Sequence, residues 1–152
     1  MTRLALLVTC AAAACLWLSA GASAHGPAKT PERALAHRIN HYRAEQGRPK
    51  LRISRRLSQS AQRYAANLLR WDYFGHASQI QASGRWRVLG EVLAFRRGRH
   101  RSTGWAMRTW KRSAGHNAVL LDARFRVLGL GRAIGRYGRA RATIWTVQLG
   151  RR

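Results

Sequence analysis

The last third of the chain leaves few folds open. Phe125 to Ile134 reads as a strand interrupted by Gly129 and Gly131, and Gly135-Arg136-Tyr137-Gly138 supplies turn chemistry. Arg141 to Leu149 then alternates, setting Thr143, Trp145, Val147 and Leu149 on one face. Two strands about one turn make a C-terminal hairpin. Upstream of it the periodicity is helical, and helices first with strands later gives an α+β layered domain.

The helices announce themselves by their starts. Thr30-Pro31-Glu32 places a hydroxyl cap, a first-turn proline and an acid at the positive end of the helix dipole. Leu35, Ile39 and Tyr42 follow at helical spacing, and Gly47 ends the run. Pro49 and Leu51 form a connector. Ser54 caps a second helix with Leu57, Ala61, Tyr64, Ala65 and Leu68 on one face. The chain leaves it through Trp71-Asp72-Tyr73-Phe74-Gly75-His76, where the three aromatic rings are expected to anchor the core. Gln79 to Arg87 reads as loop. Ser102-Thr103 begins a third helix with Trp105, Ala106, Met107 and Trp110 inward, and His116 to Leu121 makes a further short helical turn.

Residues 1–24 stand outside this pattern. Arg3, the apolar run Leu4 to Leu18 and Ala22-Ser23-Ala24 form a secretory leader, with cleavage expected after Ala24. Residues 25–29 are a short linker and 30–152 one domain. The destination is secreted or periplasmic, and a monomer without a transmembrane segment is expected. Cys10 and Cys15 both fall in the leader, so the exported chain carries no disulfide. His25 would become the first residue. An N-terminal histidine can bind copper, but the helical reading that follows favours a frayed terminus.

The chain holds 29 Lys and Arg against 5 Asp and Glu, a formal charge of +24. Such a surface favours anionic partners. The aromatics are not spaced along a basic face as in a nucleic-acid module, so lipid or glycan is the expected class. Arg96, Arg97, Arg99 and Arg101 form the densest run and are the expected anion contact. Trp86, Trp105 and Trp145 could add ring faces to it.

Three residues carry the possible chemistry. Glu91 sits in the apolar stretch Val88 to Phe95, where a charged carboxylate needs a partner: an arginine, a histidine or a cation. His116 lies between Trp110 and the Val119-Leu120-Leu121 run, on packed structure. His76 closes the aromatic loop. Two imidazoles and a carboxylate suit zinc with one open position, although separations of 15 and 25 residues certify nothing by themselves. Ser113 beside His116 lacks a nucleophile-elbow context, since Lys111 occupies the first glycine position.

These pieces in order resemble the CAP superfamily: cysteine-rich secretory proteins, antigen 5 and pathogenesis-related 1, in the compact bacterial SCP-like form. The opening INHYRAEQGRPKLRISRRLSQSAQRYAANL is followed by FGH, GEVLA, WKRSAGH, LDARFRVLGLG and WTVQLG, together covering about residues 32 to 150. The resemblance implies a three-layer α-β-α sandwich with a central antiparallel sheet. It also implies a shallow cleft lined by two histidines and two acids. Carried over, the cleft residues are His76, Glu91 and His116. The second acid would fall near Ser113 and is missing. Val92 replaces the asparagine usual after the glutamate, which removes a polar contact expected to orient Glu91.

The expected function is therefore binding, of an anionic or amphiphilic ligand of the envelope or exterior, with zinc optional at His76, Glu91 and His116. The first alternative is a metal-assisted hydrolase using the same three residues. The second is a cationic protein that acts on membranes by charge alone.

Overall fold

The structure is a computed structural model, and it describes residues 30–152. The leader, both cysteines, His25 and the linker lie outside the described residues. Four helices and four strands follow one another as α1 (Pro31–Glu45), β1 (Arg52–Ile53), α2 (Arg55–Arg70), β2 (Val88–Arg97), α3 (Thr103–Arg112), α4 (Ala114–Leu121), β3 (Val127–Tyr137) and β4 (Ala140–Arg151).

The cap signals of the first two helices hold. Thr30 Oγ1 accepts from the Arg33 amide at 3.2 Å and Ser54 Oγ from the Leu57 amide at 3.4 Å. Ser102 begins α3 without a side-chain cap bond. Ser113 Oγ accepts from the His116 amide at 3.5 Å, so this serine starts α4. The hairpin turn is tighter than the sequence suggests. Gly135, Arg136 and Tyr137 continue β3, and Gly138-Arg139 alone make the turn, with Tyr137 opposite Ala140. The residues chosen as turn formers are held in the ladder by their partners across it.

The sheet order is β1-β3-β4-β2. Its three long strands are antiparallel as expected, while the two-residue β1 joins β3 in parallel. Alternation along β4 splits the core. Trp145, Val147 and Leu149 face a cluster with α1, α3 and α4, including Leu35, Ile39 and Trp110. Ile144 faces the other layer, where Tyr64, Ala65 and Leu68 of α2 meet Leu93 and Ala133. Two helical layers thus cover one sheet.

α2 lies unusually close to β3. A Cβ on Gly129 would stand 2.1 Å from the Leu57 carbonyl carbon, and one on Gly131 would stand 2.3 Å from that of Ala61. The two glycines that interrupt the strand pattern are the contact surface for the helix. Beyond β1 the outer edge of β3 has no strand partner among the described residues, and α2 supplies hydrogen-bond partners by side chains. Leu130 N–H donates to Ser58 Oγ at 3.3 Å; Arg132 N–H donates to Gln62 Oε1, and Gln62 Nε2 donates back to the Arg132 carbonyl, both at 3.0 Å. An edge that could recruit another strand is closed in this way.

Arg43, fully buried in the last turn of α1, ties the α1 layer together. It donates to the carbonyls of Pro49, Leu120 and Asp122, the last two at the C-terminal end of α4. Burial pushes its guanidinium pKa down, helped by Arg48.

Candidate functional site

Glu91 is the buried carboxylate of β2, with only 2% of its side chain exposed. Strand register places it directly across from Gln148 of β4. Its Oε2 accepts from Gln148 Nε2 at 3.0 Å, and its Oε1 lies 3.0 Å from His76 Nδ1. Val92, on the opposite face of the strand, is fully buried in the apolar cluster. The orienting amide missing at position 92 is therefore supplied from the neighbouring strand.

With Glu91 as acceptor, His76 Nδ1 is the donor, which leaves Nε2 of the neutral ring with its lone pair free. His76 comes from the segment after α2 and is about half exposed. His116 comes from α4 in the other helical layer. The two rings approach to 6.0 Å between centroids at 46°. His116 Nδ1 is buried and has no hydrogen-bond partner among the described residues. Burial pushes the His116 pKa below its usual 6.5, and His76 adds to the shift. Nearby, burial raises the Tyr64 phenol, and the Glu91 charge raises it further.

The sequence-predicted triad therefore meets, but its roles divide. Both Glu91 oxygens are engaged, one by the His76 imidazole and one by the Gln148 amide, so the carboxylate holds the His76 ring in place. Among the described residues no three His, Cys, Asp or Glu side chains are grouped to hold a metal ion. His76 and His116 are the two imidazoles brought together, with the Glu91 carboxylate behind the first ring.

A sequence model of the cysteine-rich secretory protein (CAP) family matches residues 36–149. The chain belongs to the CAP family. Solved structures agree on the fold. An outer surface protein from Borrelia burgdorferi superposes with a TM-score of 0.68 at 19% identity, covering 80% of this chain and 92% of that one. An extracellular SCP-domain protein from Bacillus anthracis gives 0.64 at 21% identity, covering 80% of this chain and 40% of its own. Venom allergen-like protein 4 from Schistosoma mansoni gives 0.57 at 13% identity, covering 80% and 90%. No curated protein sequence matches.

Other expectations about this CAP domain need correction. Trp71 and Tyr73 are 49% and 50% exposed, and Phe74 38%, so these rings do not anchor the core. The sharp end of α2 turns them outward. Trp145 is fully buried and offers no ring face to a ligand, while Trp105 lies under Arg96 and Trp86 under Arg152. Arg96 and Arg97 end β2, and with Arg99 and Arg101 they are exposed. Along an extended strand Arg96 stands about 17 Å from Glu91, so this run and the histidine pair do not share one pocket.

An open groove of about 810 Å³ runs between α1 and α3. Ala34 and the small exposed edges of the otherwise buried Tyr42 and Met107 lie along it, while Arg33, Arg38, Arg108 and Lys111 line its walls. Lys111 Nζ stands 4.1 Å from the centre of the Tyr42 ring. Its one acid, Glu45, pairs with His41 at 3.1 Å. At one end the Tyr42 hydroxyl donates to Asn117 Oδ1 at 2.8 Å, one residue from His116. Sequence reading missed this groove. The basic positions are visible on α1 and α3 separately, but nothing in the pattern says that the two helices lie side by side.

Proposed function

We propose that this CAP domain is exported and binds an anionic amphiphile in the groove between α1 and α3. The juxtaposition of apolar surface with a rim of cations carries the reading, and the groove's volume lies in the range of small-molecule sites. An acyl or ring portion lies along Ala34 and the exposed edges of Tyr42 and Met107; a phosphate or carboxylate head meets the arginines. Export rests on the leader pattern, and intact mass of the released protein should place the new terminus at His25.

Dodecyl phosphate below its micelle concentration is the direct probe, with dodecyl maltoside as the uncharged control. Calorimetry should show binding of the phosphate and at least about tenfold weaker binding of the maltoside. Arg38→Glu with Lys111→Glu should cost the phosphate about tenfold or more. Equal affinity for both detergents, or an unaffected double variant, overturns the proposal.

A second reading concerns the histidine pair, because His116 Nδ1 is buried without a partner among the described residues. His76 and His116 would hold zinc, with Glu91 fixing the first ring. The metal would supply Lewis acidity to a hydrolysis, while these side chains would hold it in position. Zinc calorimetry decides it: His76→Ala and His116→Ala should each abolish binding, whereas Glu91→Gln should weaken it about 10- to 100-fold. Equal zinc binding by all variants removes the site.

A further inference from the structure

The rings that leave the core are not on a frayed tail. α2 ends in a Schellman pattern: Tyr73 N–H donates to the Leu68 carbonyl at 3.1 Å and Asp72 N–H to that of Leu69 at 3.3 Å. Asp72 takes the left-handed position, with φ of 49°, where glycine is usual. A side-chain bond offsets that strain, since Asp72 Oδ1 accepts from Gly138 N–H at 2.7 Å. The Tyr64 hydroxyl holds the far end of the loop by donating to the Gly75 carbonyl at 2.8 Å. Trp71, Tyr73 and Phe74 are therefore presented to solvent on a rigid mount.

That mount is shared with the tip of the β3–β4 hairpin. Phe74 stacks at 5.4 Å from Phe95, which lies 4.8 Å from Tyr137. The tip carries Arg136, Arg139 and Arg141, all exposed, and the Arg70 guanidinium stands 6.0 Å from the Trp71 ring. Asp72 is the acid beside them, and its Oδ1 is engaged by Gly138. Indole and phenol rings favour the boundary between acyl chains and headgroups, and guanidinium groups favour the phosphates just above it. Large rings fixed in water inside a cationic ring mark an interaction surface.

We propose that the Trp71–Phe74 loop and the hairpin tip dock together on an anionic lipid bilayer. This surface uses none of the groove residues, so it stands or falls apart from the amphiphile reading. His76 follows the loop directly, so docking brings the His76–Glu91 pair towards the headgroups.

The test uses protein released by an exporting host, its terminus read by intact mass. Flotation with vesicles of phosphatidylglycerol and phosphatidylcholine in equal parts is compared with phosphatidylcholine alone, in salt of about 0.1 M. Wild type should float with the anionic vesicles only. Trp71→Ser/Tyr73→Ser/Phe74→Ser should lose about tenfold or more in partition. Arg55→Gln/Arg85→Gln/Arg87→Gln, which removes charge elsewhere, should lose less than about threefold. Quenching by brominated acyl chains should be seen in wild type and fall sharply in Trp71→Phe. Thermal melts check that each variant folds. The proposal is overturned if the aromatic triple floats like wild type, or if both triples fall alike. It is also overturned if wild type ignores the vesicles yet binds heparin or single-stranded DNA, which would make the partner a glycan or nucleic acid.

Discussion

The two edges of this sheet are finished differently. Along β3, beyond the two residues paired with β1, Ser58 and Gln62 satisfy the edge at Leu130 and Arg132. Along β2 the Trp110 indole donates to the Leu93 carbonyl at 2.8 Å, and unspent groups collect nearby: a half-exposed His76, the unpartnered Nδ1 of His116 and the unpartnered Oε1 of Gln148. One edge is sealed to prevent pairing. The other gathers buried polar atoms that lack partners among the described residues (Arg132 Nη1 is the comparable atom at the first edge), and each calls for an explanation such as binding or chemistry.

The largest effect should come from breaking the sealed edge. Gly131→Ala forces a methyl into the α2 backbone and should cost about 3 kcal/mol or prevent folding, read by urea unfolding. Near-native stability would mean that α2 is not pressed on β3. Next comes the open edge. Glu91→Ala strips the acceptor from Gln148 and His76 and should cost about 1–3 kcal/mol by the same assay, with Glu91→Gln losing clearly less. Gln62→Ala should cost about 1 kcal/mol and speed hydrogen exchange at the Arg132 amide. An unchanged exchange rate would mean that the edge is protected by something else.

The smallest effect should be the pH response of His116, measured in chelator. Its folded pKa is depressed, so the unfolded chain takes up the proton first as pH falls through about 6.5. Stability should therefore be full above that value and decline below it, and His116→Gln should flatten this part of the melting profile. A profile that instead rises on acidification would reverse the sign and point to a protonated His116 stabilised in the fold.

Much of the fold is legible in the residues, because caps and glycines act locally. Thr30 and Ser54 start helices by bonding an amide three residues on, and that bond is written in the order of the residues. His76, Glu91 and His116 were visible through family resemblance, and they do converge. Gln148 was not visible as the partner of Glu91, because a cross-strand pair depends on register, and one residue of slip changes it. The aromatic loop was misread for a related reason. Trp71, Tyr73 and Phe74 are apolar by type, but their direction depends on Asp72 adopting a left-handed turn and on a hairpin 66 residues away. The α1–α3 groove depends likewise on helix placement.

Tyr42 and Arg43, neighbours in the last turn of α1, both reach α4: one bonds Asn117, the other the carbonyls of Leu120 and Asp122. The helix that walls the groove and the helix that carries His116 are thus bolted together. A guest that displaced α1 would therefore pull on α4, and by reciprocity any ligand that shifted α4 at His116 would alter the affinity for that guest. Thermodynamic reciprocity of this kind would make the two sites a single responsive unit.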